Sequence, residues 1–218
     1  MHVAVLGTGM VGRTLATRLV ALGHRVTMGS RRAGNEAAAA WAAGAGEAAA
    51  EGSFADAAAR GDLVVNATAG TASVAALVSA GADNLAGKVV VDVANPLDVS
   101  AGLPPTLSVC NTDSLGEQIQ RRFPSARVVK TLNTVNCEVM VDPSLVPGSH
   151  TMFVAGNDAP AKADVRALLE SFGWPADDIV DLGDIAGARG MEMYLPLWLR
   201  FWQATGTGHL NVKLARRA

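Results

Sequence analysis

Three glycines near the start of the chain, Gly7, Gly9 and Gly12, have the spacing G-x-G-x-x-G. The apolar run 3–6 before them is typical of a strand buried on both faces, and apolar residues recur at helical intervals over 11–22. Between a strand and a helix, such glycines permit a sharp turn, a close approach to a pyrophosphate and tight helix packing. We therefore predict a dinucleotide site rather than a plain glycine-rich turn. Its residues are Gly7, Thr8, Gly9, Met10, Val11 and Gly12.

The end of the next predicted strand, 25–28, should select the nucleotide. Folds that bind NAD usually place an acid about 20 residues past the glycines, where it holds the ribose 2′-hydroxyl. Ser30, Arg31 and Arg32 occupy this position instead, and the nearest acid is Glu36. A hydroxyl and two guanidinium groups suit a 2′-phosphate, whereas a solvated basic turn is the alternative interpretation. The pattern favours NADP(H).

Polar residues also follow three later strands, predicted at 62–67, 88–93 and 127–132. Because the carboxyl ends of parallel strands form the ligand crevice of this kind of fold, these residues are expected to face the cofactor. They are Asn66, Ala67, Thr68, Asn95, Pro96 and Asn133. Strand capping is the alternative for the first group, and turn formation is the alternative for the run 133–136.

The remaining pattern alternates between strands and helices. Helices are predicted over 37–43, 53–60, 73–79, 114–123 and 158–172, strands over 150–156 and 179–182, and a loop over 98–112. Ser53 with Asp56 and Ser114 with Glu117 match capping boxes. The alternation predicts an α/β fold, Rossmann-type and doubly wound, with a mostly parallel sheet. The NADP-binding domain would span 1–184, and 185–218 would be a small C-terminal helical extension of the same domain.

The segment from Met191 to Trp202 is apolar on nearly all sides of the predicted helix, and Pro196 should kink it. Such a helix must be covered by its own domain, by a second chain or by a flat ligand. We predict a homodimer with this helix at or near the interface.

Composition excludes several other classes of protein. Apolar residues make up 50% of the 218 residues, charged residues 17%, and the net charge is −2 without a basic block, which argues against nucleic acid and anionic membranes. No apolar run reaches the ~18 residues of a membrane span, and glycines interrupt the N-terminal apolar stretch too early for a signal peptide. Cys110 and Cys137 have neither disulfide nor metal spacing. A cytoplasmic protein without a metal site is expected.

Four stretches resemble the F420-dependent NADP oxidoreductases, a family that includes the cytosolic domain of the transmembrane metalloreductases. They are 7–12 (GTGMVG), 29–32 (GSRR), 129–134 (VKTLNT) and 190–198 (GMEMYLPLW). The resemblance covers essentially the whole chain. It implies a Rossmann domain, NADP(H), and hydride exchange with coenzyme F420 or a flavin, and Thr8, Ser30, Arg31 and Arg32 match positions that contact NADP in the family. It implies no acid or base, because members hold the acceptor mostly by apolar packing and backbone.

We therefore predict reversible hydride transfer between the nicotinamide and a small redox acceptor, either a deazaflavin or a flavin-like ring. No catalytic side chain is assigned, because the histidines are scattered and the strand ends carry no triad or paired carboxylates. Two alternatives remain. One is an NADPH-dependent reductase of another small carbonyl or imine, which would need a proton donor; the other is a non-catalytic NADP(H) sensor that binds a partner.

Overall fold

The computed structural model describes residues 1–215. The strands are β1 (His2–Leu6), β2 (Arg25–Ser30), β3 (Ala49–Ser53), β4 (Leu63–Asn66), β5 (Val89–Asp92), β6 (Leu97–Asp98), β7 (Thr106–Leu107), β8 (Arg127–Thr131), β9 (Met152–Gly156) and β10 (Ile179–Asp181). The helices are α1 (Met10–Ala21), α2 (Glu36–Ala45), α3 (Phe54–Arg60), α4 (Gly70–Ala80), α5 (Ala82–Leu85), α6 (Leu115–Arg122), α7 (Cys137–Val141), α8 (Ala159–Phe172), α9 (Ala188–Met193) and α10 (Leu195–Thr205).

Eight of these strands form one sheet in the order β10-β9-β8-β5-β4-β1-β2-β3. Six strands are parallel, whereas β9 runs antiparallel to β8 and carries β10 beside it. The chain builds outward from β1 in one direction and then crosses to β4 to build in the other. The order therefore reverses between β1 and β4, which is where doubly wound sheets bind their ligands.

Side chains alternate between two apolar cores, one on each face of the sheet. Val3 and Val5 of β1 pack in the core beneath α1, α2, α7 and α8, and Ala4 and Leu6 pack in the core beneath α3, α4 and α6. Both faces of the parallel strands are thus covered by helices, and the central strands β1, β4 and β5 are mainly apolar for that reason. The predicted doubly wound α/β fold with a mostly parallel sheet is confirmed.

Some elements differ from the sequence-based expectation. Strand β3 was not predicted, because its sequence AAEGS has no strand pattern of its own; parallel pairing with β2 stabilises it. The region 98–112, predicted as a loop, contributes a two-residue strand that pairs antiparallel with β6. By contrast, Ser53 and Asp56 form the predicted reciprocal capping box at the start of α3.

The prediction of one kinked C-terminal helix was wrong in detail. The structure has two helices, α9 and α10, which meet at Tyr194, and Pro196 lies in the first turn of the second helix. Proline has no N–H to continue the hydrogen-bond ladder of α9, but it is well tolerated at a helix start. Residues 216–218 of the predicted extension 185–218 lie outside the described residues. The domain boundary at residue 184 stays a prediction. None of the helices within residues 1–215 has the length and apolar character needed to cross a bilayer.

Candidate functional site

The glycine-rich turn between β1 and α1 has the geometry that a pyrophosphate requires. Gly7 has a φ of +124°, and a Cβ added there would lie 2.4 Å from the carbonyl oxygen of Ala67. A Cβ on Gly12 would lie 2.1 Å from the carbonyl oxygen of Gly7, so the helix packs closer to the strand than any side chain allows. Gly9 is exposed and has nothing within 4 Å on its Cβ side. Of the three glycines, only Gly9 therefore faces open space, where a phosphate can approach the backbone.

The start of α1 leaves its first N–H groups available. Gly9 is the N-cap residue and offers no side chain to accept from them. Thr8 is half-buried beside this helix end, and its carbonyl oxygen accepts a hydrogen bond from the guanidinium of Arg13. Free N–H groups and the partial positive charge of the helix end favour a bound phosphate.

The turn after β2 presents two exposed guanidinium groups. The hydroxyl of buried Ser30 donates to the carbonyl oxygen of Arg32 at 2.5 Å, which closes the turn and leaves Arg31 and Arg32 exposed. Neither arginine forms an ion pair within residues 1–215. Glu51 of β3 accepts hydrogen bonds from the N–H of Gly34, two residues past Arg32. This turn therefore suits a phosphate better than a ribose hydroxyl.

The strand ends contain a polar network that was not predicted from the sequence. The amide of Asn66 donates to Asp92 at 2.8 Å, Lys130 donates to Asp92 at 2.8 Å, and Lys130 also pairs with Glu192 of α9 at 2.8 Å. We call Asp92, Lys130 and Glu192 the charge cluster. All three side chains are at most 1% exposed. The parallel register places Asp92 directly opposite Lys130 on the neighbouring strand, which brings the two charges together.

Each charged side chain of the charge cluster has an oppositely charged partner. Burial alone would lower the pKa of the Lys130 ammonium, but the attraction of Asp92 and Glu192 outweighs burial and raises that pKa above its ordinary value. Glu192 also accepts hydrogen bonds from the backbone N–H groups of Leu115 and Gly116, at the start of α6, at 2.8 and 3.1 Å. Lys130 is thus fully buried and already paired with two carboxylates, which disfavours it as a proton donor to a substrate.

Asn66, Ala67 and Thr68, the first group of predicted crevice residues, have different surroundings in the structure. Asn66 is fully buried and its amide is bonded within the network, where its oxygen also accepts from the hydroxyl of Thr68. Ala67 packs beside Gly7 and Gly12, and both Ala67 and Thr68 remain half-buried. The structure thus gives the side chain of Asn66 a structural partner, whereas the backbone at 67–68 borders the glycine-rich turn.

The second group forms an amide pair across β5 and β8. Asn133 donates to the side-chain oxygen of Asn95 at 2.8 Å, and Asn95 donates to the carbonyl oxygen of Asn133 at 2.9 Å. Asn133 also donates to the carbonyl oxygen of Met191 in α9 at 3.2 Å. Both partners of its nitrogen are acceptors, which fixes the amide orientation. The side-chain oxygen of Asn133 and the hydroxyl of Thr134 are buried without a partner within residues 1–215.

Backbone strain coincides with this pair. Leu132, between β8 and Asn133, is buried and has a φ of +63°, a conformation rarely adopted by a branched apolar residue. Such strain persists only where the surroundings impose it, and it is often associated with functional sites. Pro96 is buried beside Asn95, and a Cβ on Gly70 would lie 2.0 Å from the carbonyl oxygen of Asn95. The turn after β5 is therefore packed tightly against the start of α4.

Neither a disulfide nor a cluster of metal-ligating side chains occurs among the described residues. Cys110 is exposed and Cys137 is buried, and neither forms a disulfide within residues 1–215. No group of three or more possible metal-ligating side chains occurs among the described residues. Together, the open glycine turn, the arginines after β2 and the strand ends at the sheet's switch point are the features expected of a Rossmann-type fold that binds a dinucleotide.

Comparisons with known proteins identify the family. The profile described as "NADP oxidoreductase coenzyme F420-dependent" matches residues 2–96. A solved structure from Arthrobacter sp. FB24, described as a candidate F420-dependent NADP reductase, is 55% identical, with a TM-score of 0.93 over 98% of this chain and 99% of that one. The chain belongs to the F420-dependent NADP oxidoreductase family, as the resemblance of its motifs indicated.

More distant relatives share the fold. Metalloreductase STEAP3 of Rattus norvegicus is 29% identical over 201 residues, which is 90% of this chain but 37% of that protein, so the chain spans little more than a third of its length. Hypothetical protein SMa0349 of Sinorhizobium meliloti is 26% identical with a TM-score of 0.65, covering 87% of this chain and 88% of that one. An imine reductase of Streptomyces aurantiacus, 21% identical with a TM-score of 0.66 over 96% of this chain and 69% of that one, shows the fold alone.

Proposed function

We propose that this protein transfers a hydride between NADP(H) and a planar (deaza)flavin ring, with coenzyme F420 as the first candidate acceptor. The observation that carries the proposal is the state of the ionisable groups at the strand ends. In the described chain, the ionisable side chains at the carboxyl ends of β5 and β8 are Asp92 and Lys130, and both are buried in the charge cluster. A site that orients two rings without donating a proton needs no other ionisable group.

The residues around the glycine-rich turn fit the pyrophosphate, the 2′-phosphate and the nicotinamide of NADP(H). Gly9 and the start of α1 would hold the pyrophosphate, Arg31 and Arg32 the 2′-phosphate, and the strand ends at 67–68, 95–96 and 133–134 would border the nicotinamide. The nicotinamide, when bound, supplies or accepts the hydride. The partnerless oxygen of Asn133 and hydroxyl of Thr134 support this assignment, because buried polar atoms gain free energy when a ligand pairs with them.

The acceptor is tested with NADPH that carries deuterium at the reactive carbon. We expect deuterium to appear at C5 of reduced F420 without exchange into solvent, because the hydride passes directly while the ring nitrogen takes its proton from water. Stopped-flow absorbance gives the rate and mass spectrometry the label. Flavin mononucleotide is the second acceptor tested. Loss of the label from C5 of F420, or failure to reduce either ring at saturating NADPH, would contradict the proposal; flavin mononucleotide is scored by reduction alone, because its N5 exchanges hydrogen with water.

The same experiment separates the alternatives. A sensor would bind NADPH without consuming it in the presence of either ring. Reduction of an imine or carbonyl needs a proton donor of suitable pKa. Lys130 is already paired with two carboxylates, and burial raises the pKa of the Tyr194 hydroxyl, which makes it a weaker acid than an exposed tyrosine. These features favour ring-to-ring transfer over imine reduction.

We also propose that the protein is a homodimer with α10 at the interface. Leu195 is the buried residue of this helix, whereas Leu197 and Trp202 are about half exposed and Met193 just before it is 38% exposed. An apolar face of this kind is typical of a surface that another chain covers. A second copy is the partner we favour, because Leu197 and Trp202 stay about half exposed although Trp198, Leu199 and Phe201 are already half-buried by their own domain.

Replacing Trp202 with glutamate should shift the protein from dimer to monomer. The change places a charge in the centre of the apolar face, which opposes its burial against a second chain. Light scattering or sedimentation measures the mass. Val78→Glu, at a residue 46% exposed on α4, is the matched control and should leave the mass unchanged. A wild-type protein that remains monomeric at high concentration would refute the dimer.

A further inference from the structure

Two ion pairs connect α9 to the rest of the domain, and they differ in burial. On its buried side, Glu192 reaches Lys130 and the start of α6. On its outer side, Arg189 donates to Glu117 of α6 at 2.8 Å, and the Arg189 side chain is 38% exposed. Both side chains join α9 to α6, but of the two only Glu192 also reaches a strand, through Lys130 of β8.

The contact made by Glu192 is adjacent to the amide pair at the crevice. The carbonyl oxygen of Met191, the residue before it, accepts the hydrogen bond from Asn133, and Asn133 is paired with Asn95. The carboxylate of Glu192 therefore fixes the position of Met191 against the strand ends. It also fixes the start of α10, because Tyr194 follows only two residues later.

The charges of the cluster show what Glu192 adds to the pair of Asp92 and Lys130. Two carboxylates and one ammonium leave one negative charge in excess, and the two N–H groups at the start of α6 compensate for it. Asp92 and Lys130 balance each other without Glu192. The third charge is therefore not needed to neutralise the sheet, and its effect is to hold α9 at one defined position.

We propose that Glu192 is a positioning residue for hydride transfer: by bonding Lys130 and the start of α6, it holds the α9–α10 segment at the strand ends so that the acceptor ring lies over the nicotinamide. This inference rests on the proposed function. Hydride transfer requires near-contact between the two reacting carbons, and a displacement of about 1 Å can cost about a hundredfold in rate. The phosphate-binding part of the nucleotide site, formed by β1, β2 and α1, has no hydrogen bond or ion pair with Glu192 within residues 1–215.

The test compares Glu192→Gln with the control Glu117→Gln, which removes the outer contact of the same helix. In Glu192→Gln the amide NH₂ must face either Lys130 or a backbone N–H, so one donor meets another. We expect single-turnover hydride transfer from NADPH to F420 to slow 10- to 100-fold, while the Kd for NADPH stays within twofold. Glu117→Gln should change both constants less than threefold. Glu192→Asp retains the charge but withdraws the carboxylate, and it should show an intermediate loss.

Amide hydrogen exchange in the NADPH-bound enzyme provides a readout that needs no acceptor. Exchange in 188–205 should accelerate in Glu192→Gln and Glu192→Asp but not in Glu117→Gln, and exchange in α1 should be unchanged. If wild type reduces neither ring, the proposed function fails, and this exchange pattern alone decides the positioning role. Unchanged exchange, an unchanged rate, or equal losses in Glu192→Gln and Glu117→Gln would overturn the inference.

Discussion

Replacement of both Arg31 and Arg32 with alanine should weaken NADPH binding at least a hundredfold, or about 3 kcal/mol, and leave NADH binding nearly unchanged. Both side chains are exposed and have no ion-pair partner within residues 1–215, so they are available to a 2′-phosphate. Each charge-assisted hydrogen bond to that phosphate should contribute about 1.5–3 kcal/mol. NADH has no 2′-phosphate and cannot lose these bonds. Isothermal calorimetry with both nucleotides measures the difference.

The control is the double variant Arg121→Ala and Arg122→Ala in α6, which removes the same net charge from another surface. It separates direct contact from the long-range effect of the protein's net charge on an anionic ligand, and it should weaken NADPH binding less than threefold. An equal loss of affinity for NADPH and NADH in the Arg31 and Arg32 variant would show that these arginines do not bind the 2′-phosphate.

Replacement of Lys130 with methionine should lower the free energy of unfolding by about 3–5 kcal/mol. The change leaves Asp92 and Glu192 buried close together without their cation, and an uncompensated buried charge is among the most destabilising single defects. Chemical denaturation measures the loss. Because methionine preserves most of the side-chain volume, a cavity contributes little to it.

A triple variant with Asp92→Asn, Lys130→Met and Glu192→Gln removes all three charges and should recover most of that stability. Such recovery would show that the loss in Lys130→Met arises from charge and not from packing. If the single and triple variants are equally unstable, the hydrogen bonds of the charge cluster matter more than its charges. Little loss in Lys130→Met would contradict the electrostatic account.

Local features of the site could be predicted from the sequence. The glycine turn requires only three residues at fixed spacing between a strand and a helix, and the structure shows the close approaches that this spacing implies at Gly7 and Gly12. The capping box of Ser53 and Asp56 lies within four residues for the same reason. The roles assigned to Arg31 and Arg32 stay predictions, although the structure leaves both side chains free for them.

Features that depend on distant contacts could not be predicted. Asp92 and Lys130 each occur singly in an apolar strand, and their pairing follows from the register of β5 on β8. Glu192 joins them only after α9 folds back over the sheet. One signal was present, since a lone lysine and a lone aspartate in buried strands are rarely tolerated without partners. The antiparallel placement of β9 likewise depends on how the chain returns after β8.

The charge cluster also bears on the order in which parts of the protein fold during synthesis. Synthesis proceeds from the N-terminus, so Asp92 and Lys130 leave the ribosome well before Glu192. Because these two charges balance each other, we expect the emerging sheet to close around a neutral pair without waiting for the last helices. Glu192 then arrives with its negative charge and finds both the lysine and the start of α6 already in place. The sheet and its glycine-rich turn can thus form first and act as the template on which α9 and α10 assemble.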